Sequence, residues 1–95
     1  MITVQQGKQI ASLINDYEVH GWFAKKALEE DNNEDYRKWD KRRDLVMVVL
    51  MKKYNIELPN ANRAFESLTF DLGAEKLNKQ IEWEYNSTVE YSKTA

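Results

Sequence analysis

Apolar residues in the first third of the chain recur at alternating intervals of four and three. Ile10, Ile14, Tyr17, Gly21, Ala24 and Leu28 fall on one stripe, which is the repeat of an amphipathic α-helix. The pattern predicts one long helix over about Val4 to Glu30 with Thr3 as its N-cap, since a threonine oxygen can accept a backbone N–H of the first turn. Gly21 lies on the stripe, where glycine costs about 1 kcal/mol relative to alanine in a helix interior. The expectation is therefore close approach of another backbone at that point.

A polar stretch, Asp31-Asn32-Asn33-Glu34-Asp35, separates this helix from a second one predicted over about Glu34 to Tyr54. Its leading carboxylates suit the positive end of a helix dipole. The first half of the second helix is charged, with Tyr36 and Trp39 as its apolar marks. The second half, Leu45-Val46-Met47-Val48-Val49-Leu50-Met51, is apolar around the whole circumference. Two or three helices from one copy are expected to cover only part of such a run, which implies a partner surface. Asn55 is a candidate left-handed C-cap, with Ile56 packing back and Pro59 preventing continuation.

Asn60 can cap a third helix carrying Ala61, Phe65, Leu68 and Leu72, ended by Gly73. Beyond it the pattern is double. Leu77 and Ile81 have helical spacing, whereas Ile81, Trp83, Tyr85, Val89 and Tyr91 alternate as strand residues do. A short helix followed by a loose tail from about Asn86 is expected, a β-hairpin being the alternative. The fold class is thus all-α: a small three-helix domain, residues 1–95, built on a long antiparallel helical hairpin.

Composition narrows the functional classes. Of the 95 residues 42% are hydrophobic and 32% charged, enough apolar material for a core. The net charge of −2 supplies no global field toward nucleic acid or an anionic membrane, so any such binding must be local. Without cysteine there is neither a disulfide framework nor a thiolate metal site. The amino terminus lacks the basic start and apolar stretch of a secretory signal, and the longest apolar run is far short of the roughly 20 residues of a membrane span. A cytoplasmic location is the expectation. Asn86-Ser87-Thr88 matches a glycosylation sequon, which such a location would leave unused.

Individual motifs are weak. Asp31, Asn33 and Asp35 occupy the first three oxygen positions of a calcium loop, but Tyr36 stands where its glycine belongs and Arg42 where its bidentate glutamate belongs. Helix capping explains the segment better. The neighbouring carboxylates Glu29, Glu30 and Glu34 read as solvated charge. His20, the single histidine, has Asp16 one turn earlier but no nucleophile or carboxylate pair marked by sequence. It reads as a surface or boundary residue. No glycine-rich phosphate loop, metalloprotease motif or nucleophile elbow is present. No catalytic, cofactor or metal residue is assigned, and the expectation is a non-enzyme.

Two features suggest binding. Trp22 and Phe23 are adjacent, so they point about 100° apart and one must meet a second surface. With Tyr36, Trp39 and Arg43 they are the candidate protein contacts, because aromatics and arginine dominate interface hot spots. The basic stretch over 37–43 offers Lys38, Lys41, Arg42 and Arg43 for phosphates with Trp39 for base stacking. Asp40 and Asp44 interrupt it, and pairs such as Glu34 with Lys38 explain part of it as a solvated helix face. The leading reading is a small protein-interaction module, an adaptor or inhibitor acting on a protein partner or as a homodimer. A nucleic-acid or nucleotide binder is the alternative, and a structural subunit of a larger assembly is third. Small size, absent motifs and a composition rich in lysine and asparagine resemble those of phage accessory proteins, a likeness of composition that transfers no residue roles.

Overall fold

The computed structural model describes residues 2–94, with side chains described over 2–91. Four helices follow one another, α1 (Val4–Glu29), α2 (Asn33–Tyr54), α3 (Ala61–Leu72) and α4 (Ala74–Thr94), with no strand among the described residues.

The termini of the first two helices form by the local chemistry expected. Thr3 Oγ1 accepts from the Gln6 amide at 3.1 Å while Gln6 Oε1 accepts from the Thr3 amide at 3.0 Å, a reciprocal capping box. After α1 the chain reverses through Asp31, whose φ is +56°. Asn32 then caps α2 by accepting from the Asp35 amide at 3.1 Å, and Glu34 and Asp35 lie in its first turn. Asn55 ends α2 in the left-handed conformation, φ +56° and ψ +34°. Ile56 donates to the Leu50 carbonyl at 3.0 Å and packs against the core.

Two expectations at the later termini fail. Asn60 precedes α3 but makes no side-chain cap. Its backbone is left-handed, φ +71°, not extended, so its amide oxygen is turned away from the exposed N–H groups that an extended N-cap would face. The Ala61 amide donates to Leu58 O at 3.0 Å instead. The second failure is the carboxy-terminal segment. It is neither a short helix with a loose tail nor a hairpin: α4 runs without interruption to Thr94. Leu77, Ile81 and Thr88 are buried and Glu84 and Tyr85 partly buried, whereas Trp83 is 67% exposed. Ile81 and Tyr85 therefore share an inner helical face, with Trp83 on the outside. Thr88 Oγ1 donates to the Glu84 carbonyl at 2.9 Å, so the sequon threonine is enclosed in the helix.

The extra helix changes the status of the apolar run in α2. Val46, Met47, Val48, Val49 and Leu50 are each no more than 4% exposed within one copy of the chain. Leu13 from α1, Ala64 and Leu68 from α3, and Leu77 and Ile81 from α4 form one cluster around them. Val46 to Leu50 are covered by this chain's own helices and only Leu45 and Met51, at the ends of the run, are half-buried, so the run supplies no argument for a partner. Buried Ala24, Ala27, Ala61 and Ala64 lie at the flanking positions, where small side chains let helices approach. Gly21 differs from expectation as well. A Cβ built there would meet the Arg43 side chain, Cδ at 3.6 Å and Nη1 at 3.9 Å, and no backbone.

Candidate functional site

The antiparallel register of α1 and α2 places Phe23 opposite Trp39. Their rings stack at 4.7 Å between centroids, 24° from parallel. Trp22 meets Phe23 edge-on at 5.1 Å, and His20 lies 5.4 Å from Trp39. The two adjacent aromatics thus divide their roles: Phe23 closes on α2 while Trp22 is 57% exposed. Cations dress the group, with Lys26 Nζ 5.1 Å from the Trp22 centroid and Lys38 Nζ and Arg42 Cζ 5.2 and 5.3 Å from that of Trp39. Lys38 takes this position and does not form the expected pair with Glu34. None of Lys26, Lys38 and Arg42 has a carboxylate within ion-pair distance among the described residues.

Tyr36 and Arg43 do not join this group. They line a different, polar groove of about 510 Å³ with Tyr17 and Asp40, between α1, α2 and α3. Arg43 Nη2 binds Asp40 Oδ1 at 2.7 Å and its guanidinium lies 6.0 Å from the Tyr17 ring. Its Nε is buried without a hydrogen-bond partner. In the same groove burial, reinforced by Asp40 and opposed by Arg43, pushes the Asp44 carboxyl up to about 6. Of the five candidate protein contacts, then, Trp22, Phe23 and Trp39 form one surface, and Tyr36 and Arg43 another.

The four candidate phosphate ligands diverge too. Lys41 Nζ lies 3.6 Å from Asp71 Oδ2 on α3, Arg43 is committed to Asp40, and only Lys38 and Arg42 flank Trp39. That indole is already stacked by Phe23 and approached by both cations, so a base could stack on it only by displacing them.

A third feature escapes a linear reading. α1, α2 and α4 enclose a cleft of about 650 Å³. Asp16 and His20 enter it from α1, Arg42 and Leu45 from α2, and Lys79, Gln80, Trp83 and Glu84 from α4. Burial raises the Asp16 carboxyl pKa, with His20 opposing. Burial also raises that of Glu84, reinforced by Asp16 and opposed by Arg42. His20 is shifted down, chiefly by burial against the favourable charge of Asp16, and its Nδ1 is buried without a partner. His20 is thus a cleft residue, with Glu84 as the second carboxylate that its sequence neighbourhood did not mark. The available signal was the spacing of Leu77, Ile81 and Thr88, which puts Glu84 on the inner face once the segment is read as helix.

No group of three or more potential ligands among the described residues could hold a metal ion, and no described helix is long and apolar enough to cross a membrane. Compared with known proteins, the chain matches no family model, no curated sequence and no solved structure. The chemistry of its surface therefore stands on its own residues.

Proposed function

We propose that the chain is a small non-catalytic interaction module, an adaptor or inhibitor, that binds a protein partner through the aromatic end of the α1–α2 hairpin in the cytoplasm. The observation that carries the reading is Trp22, more than half exposed yet held edge-on by the Phe23–Trp39 stack. A rigid, amphipathic ring already fixed in place loses little entropy on binding, which is why such residues become hot spots. A homodimer through the same face is a form of this reading; it no longer draws support from the α2 core. The phage-type accessory setting rests on composition alone. Nucleic-acid binding retains Lys38 and Arg42 as its contacts, but the engagement of Lys41 and Arg43 elsewhere weakens it.

The test is affinity capture of the tagged chain from its host at moderate salt, with and without nuclease, beside the Trp22→Ala and Lys38→Gln variants. Stoichiometric recovery of one protein, insensitive to nuclease and lost with Trp22→Ala but retained with Lys38→Gln, is the expected result. Recovery of nucleic acid alone, weakening steeply with salt, would transfer the function to Lys38 and Arg42.

A further inference from the structure

The cleft between α1, α2 and α4 lies apart from Trp22 and has a charge arrangement of its own. Asp16 and Glu84, together with Trp83, also line the adjoining groove toward Ser12 and Ser87. Arg42, Leu45 and Gln80 also line the hollow on the other side, toward Leu68 and Asp71. The carboxylates therefore occupy one end of the cleft and Arg42 the other. Lys79 and Gln80 sit one turn before Trp83 and Glu84 on α4, a rise of about 6 Å along the helix. Leu45 supplies an apolar wall, and the Trp83 ring, 67% exposed, forms a rim open to stacking.

We propose that this cleft binds a small molecule that carries a cationic group at one end and a carboxylate at the other, a basic amino acid or a dipeptide being the chemical class. Its ammonium or guanidinium lies between Asp16 and Glu84, and its carboxylate faces Arg42 and Lys79. Trp83 stacks on its cationic end, an arrangement that favours a planar guanidinium. Burial raises both cleft carboxylates against the opposing charges of His20 and Arg42, and a ligand cation between them would favour their charged forms. The volume falls in the range of about 300–1,000 Å³ usual for small-molecule sites. Among the described residues Lys79 pairs only with Glu75, at 3.7 Å and with its side chain 77% exposed, so it can turn toward the ligand.

The test is a ¹⁵N–¹H NMR titration of the whole chain with three probes taken to about 10 mM, the range in which contacts of this number become saturable. L-arginine carries both charges, agmatine lacks the carboxylate, and L-citrulline lacks the cationic side-chain head. L-arginine is expected to give saturable shifts at His20, Gln80 and the Trp83 indole, with agmatine and L-citrulline each several-fold weaker. Glu84→Gln and Arg42→Gln should each weaken L-arginine roughly tenfold, the usual effect of removing one charged hydrogen-bond partner, while Trp22→Ala leaves it unchanged. Absence of saturable shifts, equal binding of agmatine and L-arginine, or unaltered affinity in both charge variants would overturn the assignment. Loss of binding with Trp22→Ala would relocate the ligand to the aromatic end and overturn it as well.

Discussion

Replacing Gly21 by alanine removes the flexibility of a glycine from the interior of α1, and the neighbouring geometry allows its effect to be worked out. The helix-propensity difference favours alanine by about 1 kcal/mol. The new Cβ would lie 3.6 Å from Arg43 Cδ and 3.9 Å from Nη1, ordinary van der Waals distances, so no atom has to move. Partial burial of the methyl adds a few tenths of a kcal/mol, less than the roughly 0.8 kcal/mol of a fully buried methylene. The opposing risk is displacement of Arg43 from Asp40, a pair 34% and 31% exposed, whose loss costs no more than about 1 kcal/mol. The balance is a gain of about 1 kcal/mol, which corresponds to roughly 4–8 °C in Tm for a domain of this size. Urea unfolding followed by far-UV circular dichroism measures it, the midpoint rising at constant m-value. A loss of more than about 1 kcal/mol would exceed anything the Arg43–Asp40 pair can account for and would show that α1 and α2 approach more closely than these distances imply.

Further tests probe the core and the buried carboxyl. Leu50→Ala empties a position with no solvent exposure at the centre of the four-helix contact and should cost about 2–5 kcal/mol, read from the same urea curves. A cost below about 1 kcal/mol would mean that the run in α2 is not closed by α3 and α4. For Asp44 the folded-state pKa is raised from 3.8 to about 6, so the native state binds the proton more tightly than the unfolded chain does. Its favourable contribution is full below pH about 4 and is lost as pH rises through about 6. Asp44→Asn should consequently match the wild type near pH 4 and exceed it at pH 7, by on the order of 1 kcal/mol once solvent screening is allowed for. Thermal unfolding of both proteins across that range measures the difference, and a gap that shrinks toward pH 7 contradicts the burial of the carboxyl.

The division between local and tertiary information runs along identifiable residues. Thr3, Asn32, Asn55 and Gly73 mark helix ends through their own hydrogen-bonding and backbone preferences, which act over three or four residues and are readable in order along the chain. The stripe from Ile10 to Leu28 likewise determines a helix, but only part of its inner face: Ile14 and Leu28 stay 37% and 53% exposed, while Gln9, Leu13 and Ala27, off the stripe, are buried. Asn60 shows where such signals stop: its residue type favours capping, but the left-handed backbone imposed by the α2–α3 connection withdraws its side chain. For 81–91 both periods fit the residues, and the surface formed by α1 and α2 selects the helix, because only that conformation buries Leu77, Ile81 and Thr88 together. The same helix decides the fate of the α2 run, whose uniform apolarity demands cover without saying which segment provides it.

Function is less local still. Trp22 and Phe23 announce a second surface by their adjacency, but the stack on Trp39 depends on the hairpin register. Arg42 and Arg43 are neighbours in sequence and face different grooves. Asp16 and Glu84 belong to opposite ends of the chain, and their shared cleft exists only after α4 has crossed the hairpin. The sequence by itself determined the first three helices and much of the core, because those follow from short-range spacing and the removal of apolar surface from water. Which charges and rings meet at a binding surface was decided by the tertiary structure, because coulombic and stacking contacts depend on distances that the packing of α1, α2 and α4 alone sets.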